Sequence, residues 1–394
     1  MTTIWFEDVP VATLQETPGA IELVYELTWR ARPAAFPVSL TMPLSRERHP
    51  HAVVLPWLAN LLPEAHLVAI GQAIGVAPQD ILGLLLAMGR DTAGALAIGR
   101  PRTGADRFRV IERERDLERI IEELPQKPFL VGEAGVSMSL AGAQEKLTVA
   151  LVDGRIAVPL DGTPSTHILK PDIRRLKGSV QNEAFCLTLA RLIGLEAAAV
   201  TTGRVGARSY LMVARYDRMA TPRGVGRIHQ EDFAQLLGVL PKDKYEFGGL
   251  GRRIGPGLKA IFAAAAEQLS PGARLGLLDR LVFNVIACNT DAHVKNYSVL
   301  IGSGGTAKLA PLYDVLCGEV WPTITRSLPQ AIAGKRDATA LHGADWRIFA
   351  NEVGLGATHT IDRVAELCDA VEKQAGEARD QVASMPAGGN EILD

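Results

Sequence analysis

The spacing of hydrophobic residues divides this chain into two halves, and that division limits the folds it can adopt. Up to about Tyr216 most apolar runs, such as IELVYELTW, KLTVALV and YLMVARY, have the pattern of β-strands. The exceptions are the stretch from WLANLLPEAH to ILGLLLAMG, the amphipathic VIERERDLERIIEEL and NEAFCLTLARLIGL (182–195), whose patterns predict helices. Beyond Tyr216 nearly every apolar run has helical spacing. The sequence therefore predicts an α+β protein with a β-rich first half and a mostly helical second half, which suits a two-lobed phosphotransferase as well as many other folds.

Several shorter stretches carry predictions of their own. FPVSLTMPL (36–44) and VSMSLAG (136–142) have the composition of strands, and QEDFAQLLGVL (230–240) has helical spacing. GRPRTGADRFR (99–109) is rich in Gly, Pro and Arg and is typical of a linker. In residues 297–316 a Gly-rich turn separates two apolar runs, which predicts a hairpin.

Composition and charge narrow the function classes. The 394 residues are 47% hydrophobic and 22% charged, as in soluble globular proteins, and the length predicts two or three structural units or one large two-lobed enzyme. A net charge of -2 argues against a protein that coats nucleic acid or anionic membrane by electrostatics alone. The apolar stretches fall short of the roughly 20 residues that span a bilayer, and the acidic start is unlike a signal peptide. The four widely spaced cysteines predict free thiols, so we expect a cytoplasmic protein.

NTDAHVKNYSVL (289–300) is the stretch with the most informative chemistry. Asp291 and Asn296 are five residues apart, between a long apolar helix and a strand. Phosphoryl transfer to a hydroxyl needs a carboxylate that accepts the proton and an amide oxygen that helps to hold Mg²⁺, and this pair supplies both. The spacing alone is weak evidence, because a chain this long should contain such a pair about once by chance. A polar loop that caps a helix fits the pair equally well.

A second acid follows at the end of the predicted hairpin. Asp314, in LYDVL, comes 18 residues after Asn296. Its apolar neighbours make an unpaired carboxylate costly, which favours a cation as its partner. Loop acid, amide, hairpin and second acid form the order in which kinase-type enzymes present a base and two metal ligands. The alternative is that Asp314 caps a helix.

The first half contains a candidate platform for a nucleotide. Lys170 ends the apolar run THILK, from where it can reach α- and β-phosphates, and Glu183 on the following helix can hold it. The alternative is a solvated lysine at the end of a strand. Residues 141–143 are small, which lets backbone N–H groups approach phosphate oxygens.

Other chemistries have little support among the motifs. The chain contains no G-x-x-x-x-G-K-[ST] loop, no H-x-x-x-H pair and no G-x-S-x-G elbow. GGLGRRIGPG (248–257) lacks the G-x-G-x-x-G spacing and follows no clear strand. Metalloprotease, serine-hydrolase and dinucleotide-binding functions are therefore disfavoured.

Seven motifs occur in an order that resembles one protein family. They are SLAGAQEKLTVAL, THILKPD, NEAFCLTLARLIGL, RYDR, QEDFAQLLGV, TDAHVKNYSVL and PLYDVL. Together they resemble the HipA family of toxin serine/threonine kinases, and SLTMPL, LLPE and GRDTAGAL look like its N-terminal subdomain. The resemblance extends from about Ile4 to at least Val353. It implies a two-lobed, protein-kinase-like fold with the N-terminal subdomain over residues 1–101, the rest of the N-lobe over 102–216 and the helical C-lobe over 217–394.

The resemblance also implies an activity. Family members use Mg²⁺ and ATP to transfer phosphate to Ser/Thr hydroxyls of proteins, and their known targets include an aminoacyl-tRNA synthetase, whose inhibition slows translation and growth. They usually pair with a small helix-turn-helix antitoxin of the HipB type, which binds operator DNA. This chain has only GKR (334–336) where some relatives carry a longer basic stretch, so we expect it to meet DNA only through the antitoxin.

Site residues carry over by position. Asp291 matches the catalytic acid, and Asn296 and Asp314 match the Mg²⁺ ligands. Lys170 matches the phosphate-contacting lysine, which Glu183 would position. The residues that match the ATP site and its flexible loop are Ala141, Gly142, Ala143, Gln144, Glu145, Lys146, Lys170, Ala214, Arg215, Tyr216, His293, Lys295, Asn296 and Tyr313.

The loop also contains a candidate switch. Ser139 matches a serine that family members autophosphorylate, which ejects the ATP-binding loop and turns the enzyme off. A phosphate adds roughly -1.5 to -2 charges at neutral pH, enough to rearrange a loop that lies against ATP phosphates. Ser137, two residues earlier and predicted on the same strand face, is the rival acceptor.

One departure from the family pattern concerns adenine. Ala214 stands where family members often carry an acidic residue, whereas Tyr216 keeps their aromatic ring. Backbone contacts can still recognise adenine, so we expect ATP use to survive.

Two other functions fit parts of the pattern. A catalytically quiet scaffold that binds an antitoxin as co-repressor has no need of Asp291, Asn296, Asp314 and Lys170, which counts against it. A small-molecule phosphotransferase on the same two lobes would be distinguished by screening hydroxylated metabolites.

Overall fold

An antiparallel five-stranded sheet begins the chain in the computed structural model, which describes residues 1–102, 104–222 and 224–393. Its strand order is β4-β3-β2-β1-β5, and alternate residues of these strands, such as Ile4, Leu14 and Leu23, are fully buried. Helix α2 packs against β3 and α4, which completes an N-terminal subdomain. Its elements are β1 (Thr2–Phe6), β2 (Val9–Thr17), β3 (Ala20–Tyr25), α1 (Leu27–Arg30), β4 (Arg48–His49), α2 (His51–Ala59), α3 (Leu67–Ile74), α4 (Ile81–Met88) and β5 (Leu96–Ile98).

A six-stranded antiparallel sheet follows, in the order β10-β11-β9-β7-β8-β6. Helix α6 packs against β10 and β11, and the amphipathic α5 packs against β10 with Leu117, Ile120 and Ile121 buried. The elements are β6 (Arg107–Val110), α5 (Glu114–Glu123), β7 (Leu147–Val152), β8 (Arg155–Leu160), β9 (His167–Pro171), α6 (Ser179–Leu192), β10 (Val200–Val205) and β11 (Arg208–Ala214).

The remainder is mostly helical. Helix α9 begins at Pro271, where the Ser270 side chain accepts a hydrogen bond from the Ala273 N–H, and it leads into the loop that carries Asp291. The elements are β12 (Arg218–Thr221), β13 (Gly224–Arg227), β14 (His229–Asp232), α7 (Phe233–Leu236), α8 (Leu258–Gln268), α9 (Pro271–Ile286), β15 (Ser298–Ile301), β16 (Ala307–Leu309), β17 (Ser327–Ile332), β18 (Lys335–Asp337), α10 (Gly343–Val353) and α11 (Ala357–Ala383). The long α11 packs against α6 and α9, which ties the two halves together.

The predicted division into a β-rich and a mostly helical half is confirmed, and so is the hairpin, since β15 pairs with β16 in antiparallel register. Most of the other short strands beyond Tyr216 have no counterpart in the sequence predictions. Each has only three to six residues, which is too short for a clear alternation of apolar and polar residues. The predicted linker, residues 99–109, is three residues longer than the observed connection. Residues 99–106 connect β5 to β6, and residues 107–109 belong to β6. Thr103 of that linker lies outside the described residues.

The prediction of a strand over residues 36–44 is wrong. Side chains bind its backbone groups where a strand would need a neighbouring strand. The Val38 N–H donates to the Tyr25 hydroxyl at 2.7 Å, that hydroxyl donates to the Met42 carbonyl at 2.6 Å, and the Leu40 N–H donates to Glu231 Oε1 at 2.9 Å. The stretch is therefore an irregular buried connection.

Two further predictions of secondary structure are wrong. Residues 136–142 form no strand; there the Ser139 N–H donates to the Asp91 carbonyl at 3.0 Å. Residues 230–240 begin in β14 and contain only the short α7, which opens with a reciprocal capping box between Asp232 and Gln235. Pairing with β15 outweighs the helical spacing of this segment.

Candidate active site

A cleft of about 1130 Å³ lies between the six-stranded sheet and the loop after α9. Ser139 and Ser137 lie outside its lining, although the adjacent Leu140 is part of it. It is lined by all residues that the sequence assigns to ATP, Mg²⁺, catalysis or lysine positioning: Ala141, Gly142, Ala143, Gln144, Glu145, Lys146, Lys170, Glu183, Ala214, Arg215, Tyr216, Asp291, His293, Lys295, Asn296, Tyr313 and Asp314.

Lys170 joins the two halves of this cleft. It lies in β9, and its Nζ donates to Glu183 Oε1 at 2.6 Å and to Asp314 Oδ1 at 2.6 Å. Glu183 reaches it because α6 packs across the back of the sheet. The Lys170 and Glu183 side chains are buried, whereas that of Asp314 remains 32% exposed. The Lys170 ammonium thus links the buried carboxylate of Glu183 to the carboxylate of Asp314, which borders the open cleft.

The charges of this group are strongly coupled. Burial opposes the charged form of Lys170, yet Asp314 and Glu183 raise its pKa above the ordinary value. Burial also opposes ionisation of Asp314, yet Lys170 and Lys146 lower the pKa of that carboxyl below its usual range. Burial raises the pKa of Glu183, with Lys170 opposing it. Lys170 and Asp314 are therefore both charged at neutral pH.

The loop after α9 presents Asp291 and Asn296. The Asn296 Nδ2 donates to the Asp291 carbonyl at 2.8 Å, and the Asp291 N–H donates to Asn289 Oδ1 at 3.2 Å. These bonds fix the backbone of the loop. The Asp291 side chain is 57% exposed, and its Oδ1 accepts a hydrogen bond from the Tyr245 hydroxyl. The carboxylate is thus accessible and already oriented.

The surroundings of Asp291 make its carboxylate a stronger base than that of an ordinary aspartate. Partial burial raises the pKa of the Asp291 carboxyl, and the negative charge of Asp314 raises it further. The hydrogen bond from Tyr245 acts in the opposite direction and lowers this pKa. A raised pKa brings a general base closer to neutral pH, where proton transfer is most effective. Burial, with Lys244 nearby, lowers the pKa of His293 well below its usual value, so this ring is neutral beside Asp291.

The loop over residues 141–146 closes on itself at the edge of the cleft. Lys146 Nζ donates to the Ala141 carbonyl at 2.6 Å. Gly142 has a φ of 105°, which favours glycine, and a Cβ there would lie 2.5 Å from that ammonium. Burial lowers the pKa of Lys146 to about 8, with Lys170 adding to this and Asp314 opposing it. The Lys146 ammonium therefore loses its proton at a lower pH than an ordinary lysine does.

Two residues that the sequence assigns to the ATP site have side chains that form hydrogen bonds to other groups of the protein. Lys295 Nζ donates to Asn60 Oδ1 at 2.6 Å and to Asp232 Oδ2 at 2.9 Å. The Arg215 guanidinium is buried and binds Asp217, in addition to Ser165 and Thr92. Both residues line the cleft, but a role for either in binding ATP stays a prediction.

The segment expected to contact adenine runs from the end of β11 to Tyr216. The rings of Tyr216 and Tyr313 lie 5.7 Å apart at an angle of 36°. The Tyr313 hydroxyl is 2.6 Å from the Lys295 carbonyl, to which it donates, and 2.7 Å from Ser298 Oγ. This pair of rings offers an aromatic wall next to the backbone of Ala214.

The two predicted phosphoacceptors differ in exposure. Ser139 is completely buried, and its Oγ donates to the Leu61 carbonyl at 2.7 Å. Ser137 is half-buried, and its Oγ donates to the Ala87 carbonyl at 2.9 Å. Both hydroxyls are thus bonded to carbonyl groups of the N-terminal subdomain and lie outside the lining of the cleft that contains Asp291.

The donor set at the cleft floor fits a hard divalent cation. Within the described residues, no group of three or more His, Cys, Asp and Glu side chains is arranged to hold a metal ion. Asn296 and Asp314 nevertheless supply oxygen donors, because the Asn296 Nδ2 is engaged with the Asp291 carbonyl and leaves its Oδ1 for a ligand. Oxygen ligands of this kind, completed by water and phosphates, are what Mg²⁺ prefers.

Comparison with known families and structures agrees with this geometry. A model of the HipA-like C-terminal domain matches residues 138–375, and a model of the HipA N-terminal domain matches residues 2–99. The chain belongs to the HipA family. The resemblance noted in the sequence is thus confirmed, and with it the two-lobed kinase-like fold.

Individual relatives support the same conclusion for this HipA-family chain. A candidate kinase of Sinorhizobium fredii, Y4mE, is 36% identical over 395 residues, which cover 97% of this chain and 92% of the relative. The serine/threonine-protein kinase toxin HipA of Shewanella oneidensis is 29% identical over 377 residues, which cover 92% and 84%. A solved complex of HipA from Shewanella oneidensis with HipB and operator DNA superposes with a TM-score of 0.86 at 26% identity, covering 100% of this chain and 94% of that one. The chain is a serine/threonine-protein kinase by family.

Sequence reasoning missed several polar residues of this HipA-family cleft. Asn60 and Glu64 come from the N-terminal subdomain, and Asp232, Lys244 and Tyr245 come from the segment after β13. Glu64 belongs to the LLPE motif, which the sequence pointed to without a role. Asp232 likewise belongs to the motif QEDFAQLLGV, again without an assigned role, whereas Asn60, Lys244 and Tyr245 had no spacing that could have identified them, since their partners are distant in sequence.

Two sequence expectations concern the surroundings of the protein. All four cysteines are among the described residues and are free thiols; Cys186 is buried and Cys368 is exposed. In the parts of the chain that the structure describes, no helix combines the length and apolar character needed to cross a bilayer.

Proposed function

We propose that this chain is an Mg²⁺- and ATP-dependent protein serine/threonine kinase that acts as the toxin of a toxin–antitoxin pair. The observation that carries the proposal is the contact of Lys170 with both Glu183 and Asp314, in the cleft that also contains Asp291 and Asn296. A lysine held by a helix carboxylate beside a metal-binding acid is the arrangement that orients ATP phosphates in kinases.

The phosphoryl transfer uses Asp291 as its base. The acceptor hydroxyl of a Ser or Thr gives its proton to the Asp291 carboxylate, and its oxygen forms a bond to the γ-phosphorus. The bond from the γ-phosphorus to the bridging oxygen breaks, and ADP leaves. Lys170 binds the phosphates and orients them. The neutral ring of His293 next to Asp291 adds no positive charge that would weaken the base.

Asn296 and Asp314 are the residues that would hold Mg²⁺. The ion, when bound, neutralises charge on the phosphates. Asp314 is ionised at neutral pH and Lys170 occupies only its Oδ1, which supports this assignment.

Ser139 is proposed as the site of self-inhibition, with Ser137 as its rival. The Ser139 side chain is fully buried against the Leu61 carbonyl, a place with no room for a dianionic group. A phosphoserine there would have to leave, and the adjacent loop over residues 141–146 would leave with it. Loss of this loop removes part of the ATP-binding wall.

The partners and target are proposed by family relationship. A HipA relative is solved with HipB and operator DNA, which supports a small HipB-type antitoxin as partner and contact with DNA through it. The proposed target is a translation-related protein of the aminoacyl-tRNA synthetase class, and the proposed location is the cytoplasm.

Intact mass spectrometry tests the kinase chemistry. After phosphatase treatment and removal of the phosphatase, the wild type, Asp291→Asn and Asp362→Asn would each be incubated with Mg²⁺ and ATP. We expect the wild type to gain one phosphate on Ser139 or Ser137, and Asp291→Asn to react at least about 10²-fold more slowly. Asp362 is an exposed residue of α11, so its variant should behave as the wild type.

Two results would argue against the proposal. A dephosphorylated wild type that gains no phosphate would favour the antitoxin-binding scaffold. An Asp291→Asn protein with unchanged turnover would exclude Asp291 as the base.

A further inference from the structure

The N-terminal subdomain contacts the cleft through the turn that follows α2, residues 60–64. The Asn60 side chain and carbonyl accept hydrogen bonds from Lys295, the neighbour of Asn296. The Glu64 N–H donates to the Gly142 carbonyl of the ATP-binding loop at 3.1 Å. One short turn thus contacts both the loop that carries the catalytic acid and the loop expected to cover the nucleotide.

The side chain of Glu64 reaches a third element. It forms an ion pair with Lys244, and both side chains are only 12% exposed. The Lys244 ammonium also lies 5.3 Å from the centre of the Tyr245 ring. An ion pair this well enclosed, between residues 180 apart in sequence, restrains the segment that carries Tyr245.

Tyr245 connects that segment to the chemistry. Its hydroxyl donates to Asp291 Oδ1, and its ring packs edge-on against His293 with the centroids 5.1 Å apart. The Asp291 side chain is 57% exposed, so few other contacts limit its rotation. The hydrogen bond holds Oδ1 and leaves Oδ2 as the oxygen for an incoming hydroxyl.

We infer that Tyr245 is a positioning residue for the catalytic acid, and that Glu64 of the N-terminal subdomain holds Tyr245 in place through Lys244. The inference rests on the proposed role of Asp291 as the base. The N-terminal subdomain accordingly completes the active site. Because the same turn also bonds to Gly142, it aligns the nucleotide loop and the base with each other.

A comparison of Tyr245→Phe and Tyr245→Ala separates the hydroxyl from the ring. We expect both variants to lower kcat for phosphate transfer about ten- to a hundredfold with the KM for ATP nearly unchanged, because the base is misplaced while nucleotide contacts remain. Tyr210→Phe, in β11 and outside the cleft, is the matched control and should behave as the wild type. A Tyr245→Phe enzyme with unchanged kcat would reduce Tyr245 to a packing residue, and one with raised kcat would make its hydroxyl a block of the acceptor site. Either result overturns the inference.

Variants of Glu64 test the link to the N-terminal subdomain. Glu64→Ala should lower kcat about as much as Tyr245→Phe, and Glu64→Gln, which keeps a hydrogen bond to Lys244, should recover part of the loss. Glu22→Ala, which breaks a surface ion pair with Arg48 on the same subdomain, is the control. Equal kcat for wild type and Glu64→Ala would overturn the link.

A spectroscopic measurement tests the same contacts without turnover. In protein labelled with ¹³Cζ-tyrosine, the Tyr245 resonance is the one absent from Tyr245→Phe. We expect it to shift in Asp291→Asn and, in the direction of free tyrosine, in Glu64→Ala, whereas Glu22→Ala leaves it in place. A Tyr245 resonance that is insensitive to both changes would contradict the inference even if the chain transferred no phosphate. Failure of the kinase proposal alone would leave these shifts intact.

Discussion

Two groups of buried charges differ in how completely the protein surrounds them. The enclosed cluster consists of Asp91, Arg215, Asp217, Arg218 and Arg227, whose side chains are only 2–4% exposed. The cleft cluster consists of Lys146, Lys170, Glu183 and Asp314, and the side chain of Asp314 is 32% exposed.

The difference indicates what each cluster is for. Asp91 Oδ1 binds Arg218 at 2.9 Å and its Oδ2 accepts the Ser165 N–H at 3.2 Å, so both oxygens are used within the protein. In the cleft cluster Asp314 is bonded to Lys170 through one oxygen and borders open space. An enclosed cluster joins elements of the fold, whereas a cluster with one open side can exchange a protein partner for a ligand.

The largest expected effect on stability is in the enclosed cluster. Asp91→Ala leaves Arg215 and Arg218 to share Asp217 and leaves Arg227 with Glu7 alone, which should lower the free energy of unfolding by about 3–5 kcal/mol. Denaturant titration would measure it, with the exposed Asp8→Ala as control, expected within about 0.5 kcal/mol of wild type. Although burial opposes it, Arg218 and its neighbours lower the pKa of Asp91, so this stabilisation is present above about pH 4 and shrinks as the pH falls towards the lowered pKa.

In the cleft we expect activity to suffer more than stability. Lys170→Met should lower phosphate transfer about 10²-fold, because the proposed donor to the ATP phosphates is lost. The free energy of unfolding should fall by no more than about 2 kcal/mol, since Glu183, whose pKa is already raised, can take up a proton. Activity assays and denaturant titration on the same samples, with the exposed Lys308→Met as control, would test this. A loss of stability equal to that of Asp91→Ala would mean that the two clusters do not differ in kind.

The smallest effect concerns two lysines of the cleft cluster. Burial lowers the pKa of Lys146 to about 8, whereas Asp314 and Glu183 raise that of Lys170 in spite of burial. Trace labelling with acetic anhydride over a pH series should therefore give a midpoint near pH 8 for Lys146 and almost no reaction of Lys170 below pH 10. Matching titration curves for the two lysines would be incompatible with the assigned charge network.

Agreement between sequence and structure was best where local pattern and chemistry coincide. The apolar run THILK and the helical spacing of residues 182–195 were sufficient to predict a lysine on a strand and a glutamate on a helix that could meet it. Residues 36–44 show the opposite case, because side chains from β3 and β14 satisfy a backbone that local composition assigned to a sheet. The functional roles of the site residues and the unit boundaries at residues 101 and 216 stay predictions.

The sequence by itself determined the family, the α+β division of the chain and many of the residues that line the cleft, because these depend on periodicity and on the order of motifs along the chain. Only the tertiary structure decided that Lys295 is bound to Asn60 and Asp232, that Ser139 is buried, and that Tyr245 bonds to Asp291. The physical reason is that each of these contacts joins segments far apart in the chain. Spacing along the sequence records which face of its own element a side chain occupies, and only packing decides which distant element covers that face.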